Sequence, residues 1–146
     1  MKNIQFDSGI KEYKLNGSGV LRFNPGDPNL FARFLEAVEK FKALEVELAG
    51  RLEMADPAQD GNQAVQVLTD ADKQMKDVLN WVFGPGNDMH SALGGVNLLA
   101  VAGNGERVIT NLFGALQPIL IAGAESCAKE KTEAAVKQAK ARRIAR

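Results

Sequence analysis

Val20-Leu21-Arg22-Phe23-Asn24-Pro25-Gly26-Asp27-Pro28-Asn29-Leu30 carries the chain from a strand pattern into a helix pattern, and its reading decides the fold. Val20, Leu21 and Phe23 close the strand pattern, and Asn24-Pro25-Gly26 breaks it. Asp27 can accept from backbone N–H groups as a helix N-cap, and Pro28 fits the first helical position, where its missing donor costs nothing. Downstream, Leu30, Phe34, Val38, Phe41, Leu44, Leu48 and Leu52 recur at three- and four-residue steps, widened by Phe31 and Leu35. That spacing predicts a long amphipathic helix over 28–54. Its other face holds Glu36, Glu39, Lys40, Lys42, Glu45, Glu47 and Arg51, a solvated surface of mixed sign. Upstream, Tyr13 and Leu15 alternate with polar neighbours, and Asn16-Gly17-Ser18-Gly19 tolerates positive φ, so 12–15 and 20–23 predict a β-hairpin. Ile4 and Phe6 alternate in the same way and mark 3–6 as a candidate third strand of a region spanning 3–23.

After the polar connection Ala55-Asp56-Pro57-Ala58-Gln59-Asp60-Gly61, a second helix is expected over 62–83. Val65, Leu68, Ala71, Met75, Val78, Leu79 and Val82 form its stripe, and Gly84 followed by Pro85-Gly86 ends it. The segment 84–105 is glycine-rich, with a helical turn expected near 88–93 capped by Asn87 or Asp88. A third long helix is expected over 106–124, with Val108, Ile109, Leu112, Phe113, Leu116 and Leu120 on one face and Pro118 kinking or splitting it. From Glu125 the chain becomes rich in Ala and Lys, read as a basic helical extension or tail over 125–146. These elements predict an α+β fold, mostly α, with an N-terminal β-hairpin packed on a three- to four-helix bundle, and one globular domain over 1–124.

The 146 residues carry 18 Lys+Arg and 18 Asp+Glu, a formal net charge of zero. The zero conceals an asymmetry: 125–146 holds seven basic residues and three acids, net +4, which leaves 11 basic and 15 acidic residues before it, net −4. The acidic body argues against whole-domain nucleic-acid binding, which needs a basic excess. With His90 and Cys127 the single residues of their types, a disulfide framework and a multi-Cys zinc site are excluded. No metal or other cofactor is expected. The start, Met1 to Asp7, has no apolar h-region, so no signal peptide is expected. The most apolar stretch, Leu112 to Ala124, contains Gln117, Pro118 and Gly123 and falls short of the roughly 20 apolar residues of a bilayer span. It predicts a buried helix, no membrane contact and a cytoplasmic setting.

Candidate chemistry resolves into structural roles. Gly17-Ser18-Gly19 sits in a hairpin turn, without the strand-to-helix elbow of an esterase nucleophile. His90 and Ser91 are adjacent, which sets up no base for a nucleophile, and His90 reads as a capping or loop residue. Cys127 reads as a buried or incidental thiol. Gly103-Asn104-Gly105-Glu106 lacks the Gly-Lys-Ser/Thr ending of a phosphate loop and reads as a turn feeding a helix. Carboxylates mixed with Lys at i,i+4 read as ion-paired solvent faces. No enzyme is expected. Two binding signals remain. Broad apolar stripes invite cover by a partner or by self-association, and Lys137, Lys140, Arg142 and Arg143 suit an acidic partner or polyanion.

The order of landmarks resembles a known group. A hairpin running into Val20–Leu30 and a long amphipathic helix is followed by Trp81-Val82-Phe83-Gly84-Pro85-Gly86, Gly95-Val96-Asn97-Leu98 and Phe113-Gly114-Ala115-Leu116-Gln117-Pro118-Ile119. Over about residues 12–120 this resembles the tail assembly chaperones of long-tailed bacteriophages and prophages of Gram-positive hosts. The resemblance implies a mostly helical, non-enzymatic protein of the host cytoplasm that coats the tape measure protein, recruits tail tube subunits and is absent from the finished virion. In many such phages a longer form arises by translational frameshifting. On this reading Leu98, Leu99, Phe113 and Leu116 are expected to touch a partner or a second copy. The alternatives are a structural tail or head-completion subunit of the virion, and a nucleic-acid-associated accessory protein using the basic end.

Overall fold

The computed structural model describes residues 1–54 and 61–144, with the side chains of 130–135, 143 and 144 excepted. The polar connection over 55–60 and the last two residues of the basic tail lie outside the described residues. Helix accounts for 64% of the chain and the strands form one antiparallel hairpin, so the fold is α+β and mostly α.

The hairpin consists of β1 (Lys11–Leu15) and β2 (Gly19–Phe23), paired from Lys11 opposite Phe23 to Leu15 opposite Gly19. Asn16 at φ 51° and Gly17 at φ 82° make the tight turn, closed by the Ser18 N–H donating to the Leu15 carbonyl at 3.2 Å. Strand alternation sends Leu21 and Phe23 of β2 into the core while Arg22 faces out. On β1, Tyr13 and Leu15 face the same side but remain half-buried. Gly19 is required by contact: a Cβ there would collide with the Ala92 carbonyl. The expected strand at 3–6 does not form. Ile4 and Phe6 are 85% and 80% exposed, and the base of the segment is held at Gly9 (φ 76°) and by the Asn24 amide, which donates to the Ser8 carbonyl at 3.1 Å just past the end of β2.

Helix α1 (Pro28–Met54) begins as its sequence requires, with the Asp27 carboxylate accepting from the Asn29 N–H at 2.9 Å. It buries Leu30, Phe34, Ala37, Phe41 and Leu48. Helix α2 (Gly61–Phe83) packs along it with Val67, Ala71, Met75, Leu79 and Val82. At its C-terminal end, Arg33 of α1 donates to the Val82 carbonyl at 2.9 Å. Aromatic contacts join hairpin and helix: Tyr13 stacks on Phe23 at 4.5 Å between ring centroids, and Phe23 lies 5.1 Å from Phe83.

The one-turn helix α3 (Met89–Ala92) sits where the sequence places it, with Asp88 as its N-cap. Helix α4 (Val108–Ile144) runs unbroken through Pro118 and through the whole described part of the basic extension. Its first amides are satisfied by the preceding loop, Ile109 N–H donating to the Leu98 carbonyl at 2.8 Å and Val108 N–H to the Ala100 carbonyl at 2.9 Å. Pro118 does not split the helix. It lies on the exposed face one turn after Gly114, which is itself in open space, so water can reach the carbonyl that Pro118 leaves without a donor. Gly123 is the second glycine set by contact, since a Cβ would collide with the Pro25 carbonyl where the turn before α1 rests on α4.

Candidate partner-binding site

The four apolar residues expected to meet a partner are not a surface. Leu98, Leu99 and Leu116 are 0%, 5% and 4% exposed and belong to the core. Phe113 is half-buried, its ring edge-on to Phe34 at 5.4 Å and stacked on Phe41 at 5.2 Å. The correction has a simple cause. The stripe Ile109, Leu112, Leu116, Leu120 is covered by α1, and the loop carrying Leu98 and Leu99 folds beneath it.

That loop is fixed by a pair the sequence reading assigned to solvent. Asp72 and Lys76 of α2 form an i,i+4 ion pair at 2.9 Å in which the Lys76 side chain is 2% exposed. The Lys76 ammonium also donates to the Val96 carbonyl at 2.8 Å, and the second oxygen of Asp72 accepts from the Leu98 N–H at 2.8 Å. Asn97 adds a bond to the Leu68 carbonyl. A loop buried at Leu98 must satisfy its backbone groups, and α2 supplies both the donor and the acceptor. The signal was present in the sequence: Asp72 and Lys76 flank Met75 and precede Leu79 on the apolar stripe of α2, where a solvated pair does not belong.

The exposed side of α4 is the larger surface. From Val108 to Ala124 there is no charged residue. The exposed positions in that stretch are Thr110, Asn111, Gly114, Ala115, Gln117, Pro118, Ile121 and Ala122. Within Val108–Lys129 an 18-residue window has a mean hydropathy of 1.3 with 17% of it buried, apolar enough by length and composition alone to cross a bilayer. The run is interrupted at Asn111 and, as the sequence reading has it, at Gln117 and Pro118, and Val, Ile, Leu, Phe and Ala keep the average high across the interruptions. From Ala128 to Arg142, every residue whose side chain is described is exposed, Lys137, Lys140 and Arg142 included, and the side chain of Arg143 lies outside the described residues. At about 1.5 Å per residue, these cations stand some 30 Å or more along the helix from Leu116. The expected site residues are therefore not brought together.

Other polar groups make local contacts. The Asp88 carboxylate is held below its ordinary range by the Ser91 hydroxyl, then by the His90 N–H it caps and by the His90 charge. His90 lies 3.9 Å from Asp77, and Cys127 is a half-buried free thiol near Gly26. Asn104 accepts from the Glu106 N–H in the turn before α4. Open clefts of about 420 Å³ beside Arg22 and Arg33, and about 540 Å³ between α1 and residues 99–107, have mixed linings. Among the described residues no buried side-chain polar atom lacks a partner and no group of His, Cys, Asp and Glu is placed to hold a metal.

The chain matches no protein-family model, no curated protein and no solved structure.

Proposed function

We propose that this protein is a tail assembly chaperone of long-tailed phages, holding helices of the tape measure protein and recruiting tail tube subunits in the host cytoplasm. The observation that supports this reading is the uncharged, largely uncovered half of α4. A surface helix without charges over four turns leaves apolar area in water unless something covers it. Its small residues let a second helix approach closely, and Ile121 supplies an apolar knob. The sequence resemblance names the partner whose exposed apolar helices such a face would shield. The docking face on this reading is Gly114, Ala115, Pro118, Ile121 and Ala122, in place of the buried Leu98, Leu99 and Leu116.

The test is capture of a phage tape measure protein by wild type and by Gly114→Arg/Ile121→Glu. Both positions are exposed and a Cβ at Gly114 meets open space, so helix content and melting should stay near wild type. Binding should fall at least tenfold, about 1.4 kcal/mol. Undiminished binding by the variant, or fixed copies of the protein in purified virions, would overturn the reading in favour of a structural subunit.

The same segment of α4 favours a second reading, contact with a bilayer followed by a basic flank. Crossing a membrane would pull Ile109, Leu112, Leu116 and Leu120 off α1, which costs their burial. Flotation with anionic vesicles separates the two readings, since the chaperone stays in the soluble fraction.

A further inference from the structure

Two deficits in the N-terminal region match one another. The first is an arm. Residues 1–10 form no regular element, and Ile4 and Phe6 extend into solvent on a segment whose base is fixed. The Gly9 N–H donates to the Asp7 carboxylate at 2.8 Å, and Asn24 holds the Ser8 carbonyl. Ile4 and Phe6 alternate with uncharged Asn3 and Gln5, the period of a strand with one apolar face.

The second deficit is an edge. Among the described residues the sheet has two strands, so β1 has one hydrogen-bonded neighbour, β2. The far edge of β2 is closed at Arg22, whose N–H donates to the Asn87 side chain at 2.8 Å and whose carbonyl accepts from it at 2.8 Å. β1 has no such cap among the described hydrogen bonds. Its core-facing Tyr13 and Leu15 are half-covered because no strand flanks them, although Leu21 and Phe23 beside them on β2 are buried. An unpaired edge beside half-covered apolar side chains is a template for strand addition.

We propose that residues 3–6 of one copy add as a strand to the outer edge of β1 in a second copy, setting Ile4 and Phe6 beside Tyr13 and Leu15, while Asp7 stays in its tie to Gly9. The added strand extends the aromatic row Phe83–Phe23–Tyr13 by one ring. A second copy is the occupant because every copy carries both halves, and because within a single copy the arm's base is tied to Asn24, just past the end of β2, and residues 3–6 form no ladder with β1. Two copies that exchange arms about a twofold axis satisfy both edges at once, a self-limiting dimer. Asn3 and Gln5 then lie on the side of Glu12 and Lys14, with no like charge between them.

Sedimentation across a concentration series tests this. Wild type should pass from monomer to dimer, and Ile4→Asp/Phe6→Asp should weaken the dimer at least tenfold, with circular dichroism and melting of the monomer unchanged because both side chains are exposed in a single copy. A second measurement locates the contact. In a Cys127→Ala background, Gln5→Cys/Lys14→Cys should oxidise to a disulfide between chains, seen as a covalent dimer. Wild type that stays monomeric at every concentration, a double Asp variant that dimerises as well as wild type, or a disulfide closing within one chain would each overturn the proposal.

Discussion

Helices α1 and α4 carry apolar stripes of the same period, yet the structure treats them differently. α1 lies between α2 and α4, and its outward side bears Glu36, Glu39, Lys42, Glu45 and Glu47, all exposed. Lys42 pairs with Glu39 at 3.3 Å, and Lys40 lies 4.4 Å above the Trp81 ring. α4 is covered on one side by α1 and the loop, is uncharged on the other through Ala124, and then continues into the basic extension, where the described side chains from Ala128 to Arg142 are exposed. A stripe records that a helix has an inside. The residues opposite the stripe record what lies outside: water for α1, and on the proposed reading a protein partner for α4.

The sharpest way to break the comparison is to release the anchor that α4 has and α1 lacks. Asp72→Ala strands the Lys76 ammonium in the core and removes the acceptor of the Leu98 N–H. It should cost about 3–5 kcal/mol in urea denaturation, the range for breaking one side of a buried pair. Lys76→Met should cost less, because the Asp72 carboxylate left behind is the more exposed partner and keeps its bond from the Leu98 N–H. Hydrogen exchange should show protection lost first at Leu98 and Ile109, whose amides define the start of α4, while α1 keeps its own.

A smaller effect separates inside from outside directly. Leu116→Ala removes a side chain packed against α1 and should cost about 2–5 kcal/mol. Val46→Ala, on the exposed side of α1, should stay within about 0.5 kcal/mol. Equal costs at the two positions would show that the stripes have been assigned to the wrong sides.

The smallest effect concerns the α3 cap. Asp88 is an acid held below its ordinary value of 3.8, so its carboxylate contributes stability above that pH, and the contribution is lost as pH falls through the lower folded value. The melting difference between wild type and Asp88→Ala should be constant near neutrality and shrink in acid. A difference that grows in acid would show that the cap works through the protonated form.

Local rules made most of this architecture legible. Asp27-Pro28 started α1 and Asn16-Gly17 turned the hairpin, while Gly84 ended α2 and Asp88 capped α3, because each depends on neighbours in sequence. The candidate site was less legible. Leu98, Leu99 and Leu116 have the composition of a binding surface and of a core alike, and burial is decided by which elements come to lie on them. Asp72–Lys76 has the spacing of a surface pair and became a loop anchor only when Val96 and Leu98 were laid across it. Ile4 and Phe6 have the alternation of a strand, but a strand needs an edge, and within a single copy residues 3–6 pair with none.

What the chain determined by itself was therefore everything set within a few residues: the helices, the hairpin turn, the caps, and the division into an acidic body and a basic end. The tertiary structure alone decided that Pro118 is carried within one helix, that a Lys–Asp pair is interior, and that the uncharged side of α4 faces outward. The stripe of α2 placed the Lys–Asp pair on its apolar side, but the Val96 and Leu98 groups that satisfy it and the α1 residues that cover one side of α4 are distant in sequence, and only the assembled fold brings them together.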